Sequence, residues 1–177
     1  MPAPQIGIVY GSTDGHTGEI AARLKEKLDD LIPQAEDGVE LLDVAEFHLD
    51  ALLDFDCIVL GVPTWNTGQL QRDWEAALED FAELDLSGRR VAIFGLGDQA
   101  GYPNSFADAM IFLADQVRAR GATLVGSWPI DGYRFNRSWA VEAGRFVGLV
   151  LDEHNQPELT DARLRGWAAI LQKEFCS

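Results

Sequence analysis

Five apolar runs recur along this chain, and between them the apolar residues switch to helical spacing. The runs cover 5–10, 39–42, 57–61, 90–94 and 123–126. The first intervening segment places Ile20, Ala21, Leu24, Leu28 and Leu31 on one helical stripe. A weaker stripe covers 45–53, and another begins near Leu70 and carries Trp74, Leu78 and Phe81. A fourth carries Phe106, Met110, Leu113 and Val117 and stops at Gly121. The last runs from Thr160, read as its N-cap, through Leu164, Trp167, Ala168, Leu171 and Phe175. Near-continuous apolar strands alternating with amphipathic helices predict an α/β fold. Its doubly wound parallel sheet is covered on both faces and built with right-handed crossovers.

One stretch breaks the alternation. After Gly126 come about twenty residues, SWPIDGYRFNRSWAVEAGRF, with neither period, before 147–151 resumes as strand. A structureless loop of that length is usually functional. The aromatics Trp128, Tyr133, Phe135 and Trp139 predict that it is packed. It reads as an insertion that splits the fifth strand.

With 177 residues, 47% of them hydrophobic, the chain suits one domain over 1–177 with a single sizeable core. It shows no repeat, low-complexity tract or interdomain linker. The net charge of -15, from 29 acids against 14 bases, repels nucleic acid and anionic membranes. That field attracts a basic protein surface, although acidity also serves solubility or a salty cytoplasm. No apolar run is long enough to span a bilayer and the start shows no signal-peptide pattern, so the expected compartment is the cytoplasm. Cys57 lies within an apolar run and Cys176 near the end, without CxxC or metal-ligand spacing.

In an open parallel sheet, ligands bind beyond the carboxyl ends of the strands. The loops after strands one, three and four are GSTDGHTG, VPTWNTGQLQRDW and GLGDQAGYPNSF. The first offers hydroxyls, backbone N–H groups and a helix N-terminus, which together favour a dianionic phosphate without a Lys or Arg. Glycines at 11, 15 and 18 would let the backbone approach the anion. The spacing matches neither the nucleotide P-loop nor the dinucleotide fingerprint. Trp65 and Tyr102 sit at loop tips, where aromatics suit a flat ring, whereas Trp74 and Trp167 on helices read as core. A planar heterocycle with one phosphate, flavin mononucleotide (FMN), fits both features.

These segments resemble the flavodoxin family over essentially the whole chain. The resemblance rests on GSTDGHT, PTWNTGQLQRDWE, FGLGDQAGYPNSF, SWPIDGYRFNRS, FVGLVLDEHNQPELTDAR and the closing helix. The insertion is similar to that of the long-chain subgroup. The resemblance implies a five-stranded sheet in the order 2-1-3-4-5 and a non-covalent FMN. It implies that Ser12, Thr13, Asp14, Gly15, His16 and Thr17 hold the phosphate. Trp65 and Tyr102 would sandwich the ring, and the Asn66–Thr67 peptide would face flavin N5, within the loop Pro63, Thr64, Trp65, Asn66, Thr67 and Gly68. Leu96, Gly97, Asp98 and Gln99 would meet the pyrimidine edge.

Asp14 departs from the family, which usually has Ser or Thr there. An ionised carboxylate cannot donate a hydrogen bond and repels a dianion. Asp14 therefore either turns outward, leaving only its N–H, or pairs with His16; a solvated His16 is the plainer alternative.

The resemblance implies a low-potential one-electron carrier rather than an enzyme, since no catalytic constellation is visible. His48 and His154 lie apart from any nucleophile pattern, and Asp50, Asp54 and Asp56 read as solvated surface rather than a metal site. Implied partners are basic redox proteins, such as a ferredoxin/flavodoxin–NADP reductase and a low-potential acceptor, docking at a rim that includes Asp73, Glu75, Asp152 and Glu153. A monomer is expected. The alternative is an FMN-dependent NAD(P)H:quinone or metal-ion reductase on the same fold. A phosphoacceptor receiver domain would need an Asp where this chain has the stretch Gly61-Val-Pro-Thr64.

Overall fold

The computed structural model describes residues 3–11, 15–32, 38–46, 48–65 and 67–177, with the backbone alone at Trp65. In chain order the strands are β1 (Ile6–Tyr10), β2 (Glu40–Asp43), β3 (Cys57–Trp65), β4 (Gln69–Leu70) and β5 (Arg90–Leu96). They continue with β6 (Thr123–Val125), β7 (Trp128–Pro129), β8 (Val141–Glu142), β9 (Arg145–Phe146) and β10 (Leu149–Leu151). The helices are α1 (His16–Leu31), α2 (Arg72–Phe81), α3 (Ala109–Ala119) and α4 (Thr160–Phe175).

Adjacent side chains of a strand point to opposite faces, so a strand buried throughout needs cover on both sides. Ile6 and Ile8 of β1 enter the core beneath α1 and α4, while Val9 enters the core beneath α2 and α3. The same division recurs in β3, where Ile58 and Leu60 face one core and Val59 the other. Trp74 and Trp167, read from helical spacing as core residues, are fully buried. Their indole N–H groups donate to the carbonyls of Gly61 at 2.8 Å and Gly126 at 2.7 Å, so neither ring carries an unpaired donor into the interior.

The parallel order is β2-β1-β3-β5, with the outer edge of β5 shared by two short strands. Arg90 of β5 registers with Thr123 of β6, and Phe94 with Leu149 of β10. β6 and β10 are thus successive halves of one fifth strand, as the sequence predicts, and residues 126–148 are the insertion between them. The insertion folds as a three-stranded antiparallel sheet, β7-β9-β8. Its Tyr133, Phe135 and Phe146 pack around Phe106 at ring distances of 5.3–6.1 Å.

Three local expectations differ from the structure. Among its described residues the stripe at 45–53 forms no α-helix but a short 3-10 stretch, Leu49–Asp54, in which Leu49 and Leu52, three apart, turn inward. β3 runs on to Trp65, because β4 folds back antiparallel on its end through a turn in which Gly68 takes φ 90°. Thr160 opens α4 but does not cap it; Leu159 holds the cap position and the Thr160 hydroxyl donates to Glu153 at 2.6 Å.

Candidate functional site

The carboxyl ends of β1, β3, β5 and β10 share one rim of the sheet, and a cavity of about 390 Å³ opens there. Each wall comes from the carboxyl end of a strand or the turn after it. His16 and Thr17 come from the start of α1, Pro63 and Thr64 from the end of β3. Leu96 ends β5, and Gly97, Asp98 and Tyr102 come from the loop after it. Eight residues predicted from sequence are therefore brought together. A larger groove of about 650 Å³ runs past Leu70, Arg72, Glu75, Leu78 and Phe112. It gathers residues from β4, α2 and α3, whereas the smaller cavity gathers the ends of β3 and β5 and the turns after β1 and β10, so the smaller cavity is the candidate site.

The first turn shows what the cavity can hold. Gly15 takes φ 90°, a left-handed conformation open to glycine, and its carbonyl accepts the Glu19 amide at 3.0 Å to start α1. Two residues on, Thr17 is fully buried and its hydroxyl has no hydrogen-bond partner among the described residues. A buried hydroxyl without a partner costs about 1–3 kcal/mol. Here it lies in the first turn of a 16-residue helix, where the backbone N–H groups carry partial positive charge. A phosphate oxygen would satisfy that hydroxyl; no Lys or Arg lines the cavity among the described residues.

Gly11 also has a packing role that the sequence does not show. A Cβ there would press on Gln71 Oε1 and lie 2.8 Å from Trp74 Cδ1. Gln71 is itself buried and caps α2, accepting the Trp74 amide at 3.3 Å. The missing side chain at position 11 thus makes room for the capped start of α2.

The loop after β5 is held by its own acid. The Asp98 carboxylate accepts from the Gly101 amide and from Asn155 Nδ2, both at 2.8 Å, and its carbonyl accepts the Tyr102 amide at 2.9 Å. The Gly101 amide first, then Asn155 and the nearby His154, hold the Asp98 carboxyl below the usual range against a smaller opposing effect of burial. Tyr102, 40% exposed, stands at the mouth of the cavity. Behind it, the Pro103 carbonyl accepts the amides of Asn136 at 2.7 Å and Arg137 at 3.0 Å, so the insertion braces the loop that carries the ring.

Several predicted residues lie elsewhere. Gln99 is buried; its amide and Nε2 donate to Asp152 at 3.0 and 2.8 Å, and its Oε1 accepts the Arg134 amide. Its side chain is committed to the interior. Gly15 and Thr67 are exposed, and Gly68 lines the outer groove. Ser12, Thr13, Asp14 and Asn66, the ring of Trp65, and with them the Asp14–His16 pairing, lie outside the described residues.

Asp152, expected on a docking rim, is fully buried. Besides Gln99 it takes the amides of His154 at 3.1 Å and Asn155 at 3.0 Å, so it fixes the turn after β10 to the loop after β5. Asp73 and Glu153 are half-buried, and Glu75 is exposed.

That turn supplies two wall residues the sequence reading missed, Glu153 and His154. The signal was available: once 147–151 is read as the end of strand five, the acidic turn after it must reach the same rim.

The known proteins this chain is similar to agree with the geometry. Residues 8–167 match the family model described as Flavodoxin. A flavodoxin of Picosynechococcus sp. is 44% identical over 97% of this chain and 98% of that protein. Flavodoxin 1 of Azotobacter vinelandii is 42% identical over 97% of each. Among solved structures, Fusobacterium nucleatum flavodoxin bound to flavin mononucleotide superposes with a TM-score of 0.90 at 31% identity, covering 97% of this chain and 99% of that one. The strand order, the rim cavity and these likenesses converge: the chain belongs to the flavodoxin family.

Proposed function

We infer that this chain is a low-potential electron carrier that passes single electrons between redox proteins on a non-covalently bound FMN. The observation that carries the reading is the buried Thr17 hydroxyl at the N-terminus of α1, without a partner among the described residues, in the wall of the cavity at whose mouth Tyr102 stands. When bound, FMN supplies the one-electron chemistry.

The protein's residues bind and orient the group. The Thr17 hydroxyl and the first-turn amides, together with Ser12, Thr13, Asp14, Gly15 and His16, would hold the phosphate. Tyr102 and Trp65 would offer ring faces to the flavin, and Pro63 and Thr64 belong to the cavity wall. The Asn66–Thr67 peptide would meet flavin N5. Backbone groups of Leu96, Gly97, Asp98 and Gln99 meet the pyrimidine edge. The buried Asp152 sets the position of that loop through Gln99.

The partners are redox proteins, and the net charge of -15 favours basic ones, such as a ferredoxin/flavodoxin–NADP reductase and a low-potential acceptor. Exposed Glu75, with half-buried Asp73 and Glu153, belongs to the docking rim. The protein works as a monomer and single domain in the cytoplasm.

Reductive titration of the FMN-loaded protein tests the reading. Two resolved one-electron steps, together with no flavin bleaching by NADPH alone, are expected. Rapid bleaching by NADPH alone makes it an FMN-dependent reductase instead.

A further inference from the structure

His154 stands in the wall of the candidate cavity with Asp98 and Tyr102. Its position follows from the topology. β10 lies three strands from β1 in the parallel order, and at about 4.8 Å per strand His154 is set roughly 14 Å along the rim from the turn of Thr17. The phosphate end and the His154 end of the cavity are thus opposite ends of one groove. His154 is held there by its own amide, which donates to the buried Asp152 at 3.1 Å. The next residue, Asn155, ties the turn to Asp98 at 2.8 Å.

The charged and titratable groups around it come from two elements: Asp98 and Tyr102 face it from the loop after β5, and Asp152 and Glu153 belong to its own turn, while His16, at the start of α1, lines the far end of the cavity. No Lys or Arg lines the cavity among the described residues. Of the side-chain types at the ring end, imidazole alone ordinarily changes charge between about pH 5 and about pH 8. Asp98, held anionic by the Gly101 amide and Asn155, gives an imidazolium a fixed negative neighbour.

We propose that His154 couples proton uptake to reduction of the flavin: an electron arriving from the donor redox protein draws a proton from water onto the imidazole. No covalent bond to the flavin forms, and both electron and proton leave when the acceptor redox protein reoxidises the carrier. Negative charge added to the ring strengthens proton binding at His154, and by reciprocity the protonated imidazole raises the potential for electron addition. The carrier is thus a weaker reductant in an acidic medium and a stronger one in an alkaline medium. This rests on the FMN reading.

The test is the midpoint potential for the second electron, measured on the FMN-loaded protein from about pH 8 to about pH 5.5. His154→Gln removes the titrating charge, and His154→Arg keeps a positive charge at every pH. Over that range the wild-type equilibrium shifts toward reduction at least about threefold more than that of His154→Gln, which is about 28 mV at 59 mV per tenfold. His154→Arg holds a potential near the acid limit of the wild type and loses the excess slope. Equal slopes in all three proteins, with FMN bound in each, overturn the role of His154 and leave the carrier reading intact. Failure of the folded wild type to bind FMN overturns both.

Discussion

The buried carboxylate of Asp152 accepts the backbone N–H of Gln99 at 3.0 Å and its side-chain N–H at 2.8 Å, across 53 residues of sequence. Through this pair the turn after the last strand fixes the loop that presents Asp98 and Tyr102. Replacing Asp152 by Asn sets an N–H group among donors from Gln99, His154 and Asn155. The loss is about 2–3 kcal/mol in urea unfolding of the FMN-free protein, with weaker FMN binding as the loop loosens. An unchanged unfolding midpoint contradicts the structural role.

Thr17→Val separates binding from folding. Valine keeps the shape and removes the buried hydroxyl that lacks a partner among the described residues. The FMN-free protein should be as stable as wild type or about 1 kcal/mol more stable. FMN affinity should fall roughly 10–100-fold, the worth of one hydrogen bond to a charged group. Isothermal titration and thermal unfolding of the same sample read both effects.

Gly11→Ala destabilises the FMN-free protein by about 1–3 kcal/mol, because the added methyl collides with Gln71 and Trp74 behind the loop. If Gly11 served only the anion, the substitution would weaken FMN binding without moving the unfolding curve.

Asp98 sets a pH dependence whose sign follows from its lowered carboxyl pKa, caused first by the Gly101 amide and then by Asn155 and His154. A carboxylate depressed in the folded state stabilises above the unfolded value of 3.8 and loses that contribution as pH falls through its lower folded value. The stability difference between wild type and Asp98→Asn should therefore be constant above about pH 5 and shrink below about pH 4. A difference that instead grows on acidification contradicts the arrangement. The half-exposed position keeps the effect small.

Electron transfer with a basic reductase should slow steeply as ionic strength rises, because an acidic carrier is steered by charge. A flat salt profile argues against docking at the rim of Glu75 and its neighbours.

The sheet was legible because buried strands and amphipathic helices leave strong periods, and the insertion because neither period continued through 127–146. The 3-10 stretch at Leu49–Asp54 was misread because two inward leucines three residues apart look like the start of an α-helix. In the site, Thr17 and Tyr102 were legible from local chemistry, a first helical turn and an aromatic at a loop tip. Gln99, Asp152 and Gly11 were not, since each is assigned by a partner distant in sequence: Gln99 and Asp152 by one another, Gly11 by Gln71 and Trp74. Such partners leave no local period, so an acid like Asp152 reads as surface until its donors are located. His154 escaped notice because its turn reaches the cavity only once the fifth strand is closed by β10.

The central claim is that a rim cavity without cationic side chains among its described residues grips the phosphate of a flavin through the Thr17 hydroxyl and the first turn of α1. Fluorescence titration of the FMN-free protein with FMN and with riboflavin, which lacks the phosphate, measures this directly. FMN should bind at least about tenfold more tightly, with the difference greatly reduced in Thr17→Val. Equal affinity for the two flavins, or an FMN preference untouched by that substitution, contradicts the account.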